Sequence, residues 1–176
     1  EQKGLNYGEE GGGLPAVMPA KKRNWRLQVS WQPAPSLQLR QRLELLWYNH
    51  AHVQHPGFLA FADVRYAKPF SPWQVACRLQ FFAADDYDAR IYTLEHAVLY
   101  SSSAPAFFHT GVRWYCNASY KMNRLMTRLL RVKTNCRIGF HCAQTIYIPG
   151  RVSGAKPEEP DNDRKSVVMV QVLTGL

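Results

Sequence analysis

Cysteine and histidine are the residue types here that could bind a metal or act as nucleophiles; the 176-residue chain has four and six of them. The best metal candidate is the segment Cys136–Cys142, with His141 inside it and Cys116 at a distance. It has no Cys-x-x-Cys pair, and on a strand His141 and Cys142 would point to opposite faces. A second group of histidines flanks a Pro-Gly turn without carboxylate support: His50, His52 and His55. We therefore predict structural cysteines, no metal site and no cofactor.

Neighbouring carboxylates at Asp85, Asp86 and Asp88 could serve as acid and base, but an acidic turn at the start of a helix also explains them. The chain contains no Gly-x-Ser-x-Gly, phosphate-binding Gly-rich loop or His-Glu-x-x-His sequence. We predict no catalytic residue, no small-molecule substrate and no enzymatic activity. A cysteine or histidine in a pocket stays open as an alternative, because such partners meet in space rather than in sequence.

Charge is the strongest functional signal. Lys and Arg number 22 against 13 Asp and Glu, which gives a net charge of +9 and an isoelectric point near 9.6. No acidic residue occurs between Glu95 and Glu158. A field of one sign attracts phosphates and releases their counterions. The predicted RNA-binding residues are Lys21, Lys22, Arg23, Arg113, Lys121, Arg124, Arg128, Arg131, Lys133 and Arg137.

Composition excludes several other classes of protein. With 46% hydrophobic residues the chain can form a core, which argues against general disorder. No run approaches eighteen apolar residues, so we predict no membrane span. Four cysteines are too few for a disulfide scaffold, and a reducing compartment is the simpler expectation.

The elements that must position these residues are predicted from periodicity. Glycines and prolines indicate an extended arm over 1–23. Alternating residues predict strands at 25–31, 58–66, 73–82 and 107–116. Helical spacing predicts helices from Ser36 to about Asn49 and over 85–99. The order β-α-β-β-α-β over 24–116 predicts an α+β, ferredoxin-like split βαβ core: a four-stranded antiparallel sheet with two helices.

Residues 117–176 are predicted to form a basic helix and β extension. Ser119 can cap a helix over 120–132, whose apolar stripe leaves Arg124, Arg128 and Arg131 on the remaining surface. Strands are predicted at Cys136–Ile148 and Ser166–Leu173. Arginines on an outward helix face suit phosphate, because the guanidinium donates bidentate hydrogen bonds.

Three segments resemble the bacterial-type small-subunit ribosomal protein six family, in a divergent organellar form: Asp63–Pro69, Gln74–Ala83 and Phe107–Val112. The resemblance implies the ferredoxin-like fold, a mitochondrial location, and contact with ribosomal RNA and neighbouring ribosomal proteins. Together with the charge, it predicts a structural RNA-binding component of a ribonucleoprotein, most simply a mitochondrial small ribosomal subunit. The alternative is a non-catalytic protein–protein subunit of a mitochondrial membrane or respiratory assembly, with tryptophans and prolines against partners.

Overall fold

A computed structural model of the chain describes residues 2–7, 16–50, 53–84, 87–96, 102–123, 135–148 and 164–175. Strands make up almost all of it. They are β1 (Gln2–Tyr7), β2 (Ala16–Ala34), β3 (Leu37–His50), β4 (Val53–Tyr66), β5 (Trp73–Ala84), β6 (Ile91–Tyr92), β7 (Glu95–His96), β8 (Ser102–Ser103), β9 (Ala106–Phe107), β10 (His109–Lys121), β11 (Asn135–Tyr147) and β12 (Arg164–Gly175).

Eight of these strands form one antiparallel sheet in the order β1-β2-β3-β4-β5-β10-β11-β12. Only the connection from β5 to β10 interrupts this meander. The connection carries a 3-10 turn at Tyr87–Ala89 and two short strand pairs, β6 with β9 and β7 with β8. We call the end of the sheet with the β2–β3 and β4–β5 turns the turn end, and the other the far end.

The register divides the sheet into two faces of different chemistry. Residues directly opposite each other on antiparallel strands project to the same side. One row on the first side, which we call the apolar face, is Leu43, Ala60, Phe81, Val112 and Ile146. The adjacent row on the second side, the covered face, is Arg42, Phe61, Gln80, Arg113 and Thr145.

The hydrophobic core lies on the covered face at the far end, where the β5–β10 connection packs against β3, β4 and β5. Its buried members are Leu46, Tyr48, Leu59, Phe61, Phe82, Ala84, Ala89, Ile91 and Phe107. Two glycines permit the close approach. A Cβ on Gly57 would meet the Ala89 carbonyl oxygen at 3.0 Å, and one on Gly111 would meet the Phe82 ring at 2.7 Å.

The predicted ferredoxin-like α+β fold is wrong, because neither of its two helices forms. Residues 37–50 are β3, between β2 and β4. The leucines there fit helical spacing, but Leu39, Leu43 and Leu45 also alternate with Arg40, Arg42 and Glu44. Pairing on both sides satisfies the backbone of this segment, and tertiary context overrides the helical tendency.

The second predicted helix is also absent from the described part of 85–99. The 3-10 turn, β6 and β7 occupy it, and the β-prone residues Ile91, Tyr92 and Thr93 lie in or beside β6. Ile91 and Thr93 are buried on the covered face, which a regular helix would not allow at a spacing of two residues. Residues 85–86 and 97–99 lie outside the described residues.

The flanking segments join the same sheet. Within the predicted arm, Gln2–Tyr7 pairs with residues 16–21, so this part is regular where Gly and Pro predicted none. β10 crosses the predicted boundary at 116/117. Of the predicted helix over 120–132, Tyr120 and Lys121 end β10, Asn123 is helical, and residues 124–132 lie outside the described residues. The strands predicted in the last forty residues are present as β11 and β12.

Candidate functional site

The apolar face is the most unusual feature of the molecule, because nothing in the described structure packs on it. Its side chains come from β2 to β5 and from β10 to β12. Large apolar residues that remain substantially exposed are Trp25, Leu27, Val29, Trp31, Phe58, Val64, Tyr66, Trp73, Leu79, Phe81, Phe140, Val168, Val170 and Val172. Trp31, for example, is 62% exposed and Leu79, near the centre, 46%.

The size of this surface separates it from ordinary exposed hydrophobic residues. Fourteen large side chains of roughly half exposure amount to an area on the order of 1,000 Å², against the few hundred Å² typical of a water-soluble monomer. From Phe58 to Tyr66 the face extends about 26 Å along β4, and seven strands give it a width of about 29 Å. Such a surface requires an apolar environment or an apolar partner.

Charged residues are confined to the ends of the apolar face. From Trp25 to Trp31 on β2, from Leu39 to Leu45 on β3, and over the corresponding stretches of β4, β5, β10 and β11, its residues include no Lys, Arg, Asp or Glu. On β12 the register places Arg164, the first residue of the strand, opposite Ile146. Its few polar members are Gln41, Thr110, Gln144 and Ser166. The Gln144 amide accepts a hydrogen bond from the Trp114 indole at 3.3 Å and donates one to Ser166 at 3.2 Å.

Aromatic residues mark the turn end of the apolar face. Trp31 is the last outward residue of β2 before its bulge, and Tyr66 ends β4. Trp73 begins β5 and lies against Tyr120 of β10, with the ring centroids 4.6 Å apart. At the far end the rim is polar and cationic instead, with Lys21 and Arg23 on β2 and Arg164 on β12.

A cleft lies in this cationic rim. It has a volume of about 520 Å³ and is lined by Lys21, Arg23, Asn24, Trp47, Asn49 and Gln54. The register places Lys21 opposite Asn49 and Arg23 opposite Trp47, so the cations and the indole share one side of the sheet. No carboxylate is among the described residues that line the cleft, and these residues give it a positive charge.

Several charged residues of the covered face form ion pairs. Glu44, buried, accepts hydrogen bonds from Arg26 at 2.8 and 3.0 Å and from the Asn24 amide at 2.7 Å. Glu95 accepts two from Arg113 at 2.6 and 2.8 Å. The second pair ties the β5–β10 connection to the sheet.

Asp63 and Arg78 form the centre of this network. Arg78 donates to the two Asp63 oxygens at 2.5 and 2.9 Å, and also to the Thr93 hydroxyl and the Leu94 carbonyl. Its guanidinium carbon lies 3.9 Å from the centre of the Phe61 ring. Arg40 donates to Asp63 from the other side. Bidentate and stacked geometry of this kind suits arginine and not lysine.

Burial and crowding shift the pKa of several groups. Desolvation, together with the positive charges of Arg26, Arg40 and Arg78, lowers the pKa of Arg42, although Glu44 acts in the opposite direction. Burial lowers the pKa of His141, whose ring contacts the Asn117 amide oxygen. On the apolar face, desolvation and a hydrogen bond with Cys116 raise the pKa of Cys77 to about 11.

The predicted RNA-binding residues that the structure describes do not form one cluster. Lys21 and Arg23 lie at the far end on the apolar face, whereas Lys121 and Arg137 pair at the turn end on the covered face. Two others form hydrogen bonds within the protein. Lys22 donates to the Arg90 carbonyl at 3.4 Å, and the three donor nitrogens of Arg113 contact Glu95 and Thr145. The remaining four lie outside the described residues: Arg124, Arg128, Arg131 and Lys133.

The candidate metal residues are also separated. Cys116 faces Cys142 in register on the apolar face, while His141 lies on the covered face, as strand geometry predicts. Within the described residues, no three histidines, cysteines or carboxylates are placed to hold a metal ion. The side chains of His50 and His52 lie outside the described set, and His55 packs near Tyr48.

The sequence predictions do not indicate that the apolar residues of these strands form one continuous surface. Trp25, Trp31 and Trp73 are each about half exposed, so none of them lies in the core. The available signal was the alternation over 37–48, which indicates a strand that continues the apolar side of β2. Among the described residues, no helix has the length and hydropathy needed to cross a membrane.

Comparisons of the chain with protein-family models, curated proteins and solved structures return no match.

Proposed function

We propose that this chain acts as a lipid-embedded sheet, with its apolar face against acyl chains and its covered face turned away from them. The single observation that carries the proposal is the apolar surface across seven strands, on which no described element packs and which carries no charged residue between its two ends on β2 to β5, β10 and β11. Burial of apolar area is favourable by about 25 cal/mol per Å². Transfer of an area on the order of 1,000 Å² from water into hydrocarbon is thus favourable by roughly 25 kcal/mol. The face does not gain this stabilisation while it stays in water.

Three features favour lipid over a protein partner. The length of the face, about 26 Å along β4, is close to the hydrocarbon thickness of a bilayer, about 30 Å. Trp and Tyr lie at one border, as aromatic residues do where hydrocarbon meets headgroups. The face offers few hydrogen-bonding side chains, whereas a protein interface carries about one hydrogen bond per 100–200 Å².

The backbone and the charges are arranged compatibly. In the interior strands of the sheet, backbone N–H and C=O groups pair with neighbouring strands, as an apolar solvent requires. The carboxylates of Glu44, Asp63 and Glu95 lie on the covered face, where each pairs with an arginine. In a water-soluble sheet the uncovered face would carry these charges.

Vesicle flotation tests the proposal. We expect the full chain, diluted from detergent, to float with phosphatidylcholine vesicles and to stay bound at high salt. Leu79→Asp places a charge at the centre of the apolar face and should reduce flotation by at least tenfold. Leu94→Asp is the matched control, because Leu94 is 69% exposed in the β5–β10 connection, and it should float like the native chain.

Two results would contradict the proposal. One is a native chain that stays monodisperse in water without detergent and remains at the bottom of the gradient. The other is equal flotation of the two aspartate variants. If the native chain instead captures a stoichiometric protein partner through this face, the alternative predicted from the tryptophans, a protein–protein subunit, replaces the lipid proposal.

Structural RNA binding is a second candidate function. It is supported by the acid-free stretch from His96 to Pro157 and by the exposed cations Lys21, Arg23 and Lys121. Filter retention of an RNA oligonucleotide should then weaken steeply between low and physiological salt. A salt-insensitive signal, or none, would eliminate this candidate. The ribosomal family resemblance and the mitochondrial location stay predictions.

A further inference from the structure

The lipid proposal as stated so far assigns no role to the cationic cleft at the far end of the sheet. Lys21 and Arg23 are both exposed, and neither makes an ion pair with a described residue. The buried carboxylate of Glu44, on the neighbouring strand β3, already accepts hydrogen bonds from Arg26 and Asn24. The positive charge of the cleft is thus available to an external anion.

The donors in the cleft suit a phosphate group. The guanidinium of Arg23 presents a planar fork, the ammonium of Lys21 adds a point charge, and Asn49 and Gln54 supply neutral amide donors beside them. Charge-assisted hydrogen bonds of this kind are about twice as strong as neutral ones. A volume of about 520 Å³ exceeds the needs of a bare phosphate and admits its substituents.

The position of the cleft favours a phosphate compound that also carries hydrocarbon. The Trp47 indole lines it, and along β2 the next outward residues after Arg23 are Trp25 and Leu27, at the start of the apolar face. A ligand with its phosphate between Lys21 and Arg23 can therefore extend hydrocarbon directly onto that face. An RNA strand would place sugars and bases there instead.

We propose that this cleft binds the phosphate headgroup of an anionic phospholipid. The inference deepens the proposed function and rests on it, since it assigns a lipid contact to one end of the embedded face. It also gives the sheet an orientation: the far end lies at a headgroup layer that contains anionic lipid.

The test uses the full chain in non-ionic detergent micelles, titrated with short-chain phosphatidylglycerol and followed by tryptophan fluorescence. We expect phosphatidylglycerol to bind at least tenfold more tightly than short-chain phosphatidylcholine, because each Lys or Arg beside an anionic headgroup strengthens binding. The double variant Lys21→Gln, Arg23→Gln should lose this preference. The charge-matched control Arg65→Gln, Lys68→Gln changes two exposed cations at the turn end and should retain it.

Three outcomes overturn the inference: the Lys21, Arg23 double variant keeps the preference, inorganic phosphate competes as strongly as the lipid, or an RNA oligonucleotide occupies the cleft with higher affinity. Because the chain is held in micelles, this titration does not depend on insertion into vesicles. Failure of flotation with intact headgroup selectivity would refute the proposed function alone, and the reverse result would refute only the cleft.

Discussion

Replacing Asp63 by asparagine removes the negative charge at the centre of the covered-face network and exchanges one acceptor oxygen for an NH2 donor that faces arginine, and the effect on stability follows from the geometry. Asp63 is 8% exposed and Arg78 is 3% exposed, so the guanidinium that loses its charged partner cannot reach water. Arg78 keeps the Thr93 hydroxyl, the Leu94 carbonyl and the Phe61 ring, none of which carries a negative charge. Arg40 is more exposed and can rehydrate. Breaking a buried pair in this way costs about 3–5 kcal/mol.

The assay is urea unfolding of the full chain in detergent micelles, followed by tryptophan emission. The matched control is Asp88→Asn, because Asp88 is 48% exposed and lies 3.6 Å from Arg90, and a pair of this kind contributes less than about 1 kcal/mol. A loss of less than 1 kcal/mol for Asp63→Asn would refute the reasoning, as would equal losses for the two variants. Either result would mean that water reaches Arg78.

Three further predictions concern single positions. Gly111→Ala should destabilise by about 1–3 kcal/mol in the same assay, because its Cβ would meet the Ile146 carbonyl oxygen and the Phe82 ring at 2.7 Å; an unchanged midpoint would contradict this packing. Gln80→Met should be neutral or stabilising by up to about 2 kcal/mol, because the fully buried amide has no partner among the described residues, and a clear loss would contradict that. Cys77 should alkylate slowly at neutral pH and faster only as pH approaches its pKa of about 11, since the thiolate is the reactive form; rapid reaction at neutral pH would show an exposed thiol.

The strands in which apolar and polar residues alternate regularly could be predicted from the sequence, whereas the two helices predicted in the core were wrong. Residues 25–31 and 73–82 place apolar and polar residues on opposite sides, and both are strands. Over 37–48 the apolar residues satisfy two periodicities, since adjacent Leu45, Leu46 and Trp47 interrupt the alternation. Local spacing does not distinguish these alternatives. Pairing of β3 with two long neighbours decides between them, and this information is non-local.

The candidate site shows what residue type alone does not reveal about charge. The net charge of +9 predicts a surface for a polyanion, and four of the arginines, Arg26, Arg40, Arg78 and Arg113, have carboxylate partners on the covered face. The partners of Arg113 and Arg78 come from elements 15 to 18 residues away in the sequence. The apolar face, in contrast, is visible in the alternation once all its segments are assigned as strands.

Tryptophan quenching tests the central claim most directly, because the chain reports on its own surface. All five tryptophans, Trp25, Trp31, Trp47, Trp73 and Trp114, project to the apolar side of the sheet by register. In vesicles of phospholipid with brominated acyl chains, we predict strong quenching of their emission and little quenching by aqueous iodide. Emission that iodide quenches and brominated lipid leaves unchanged would contradict the placement of this face in hydrocarbon.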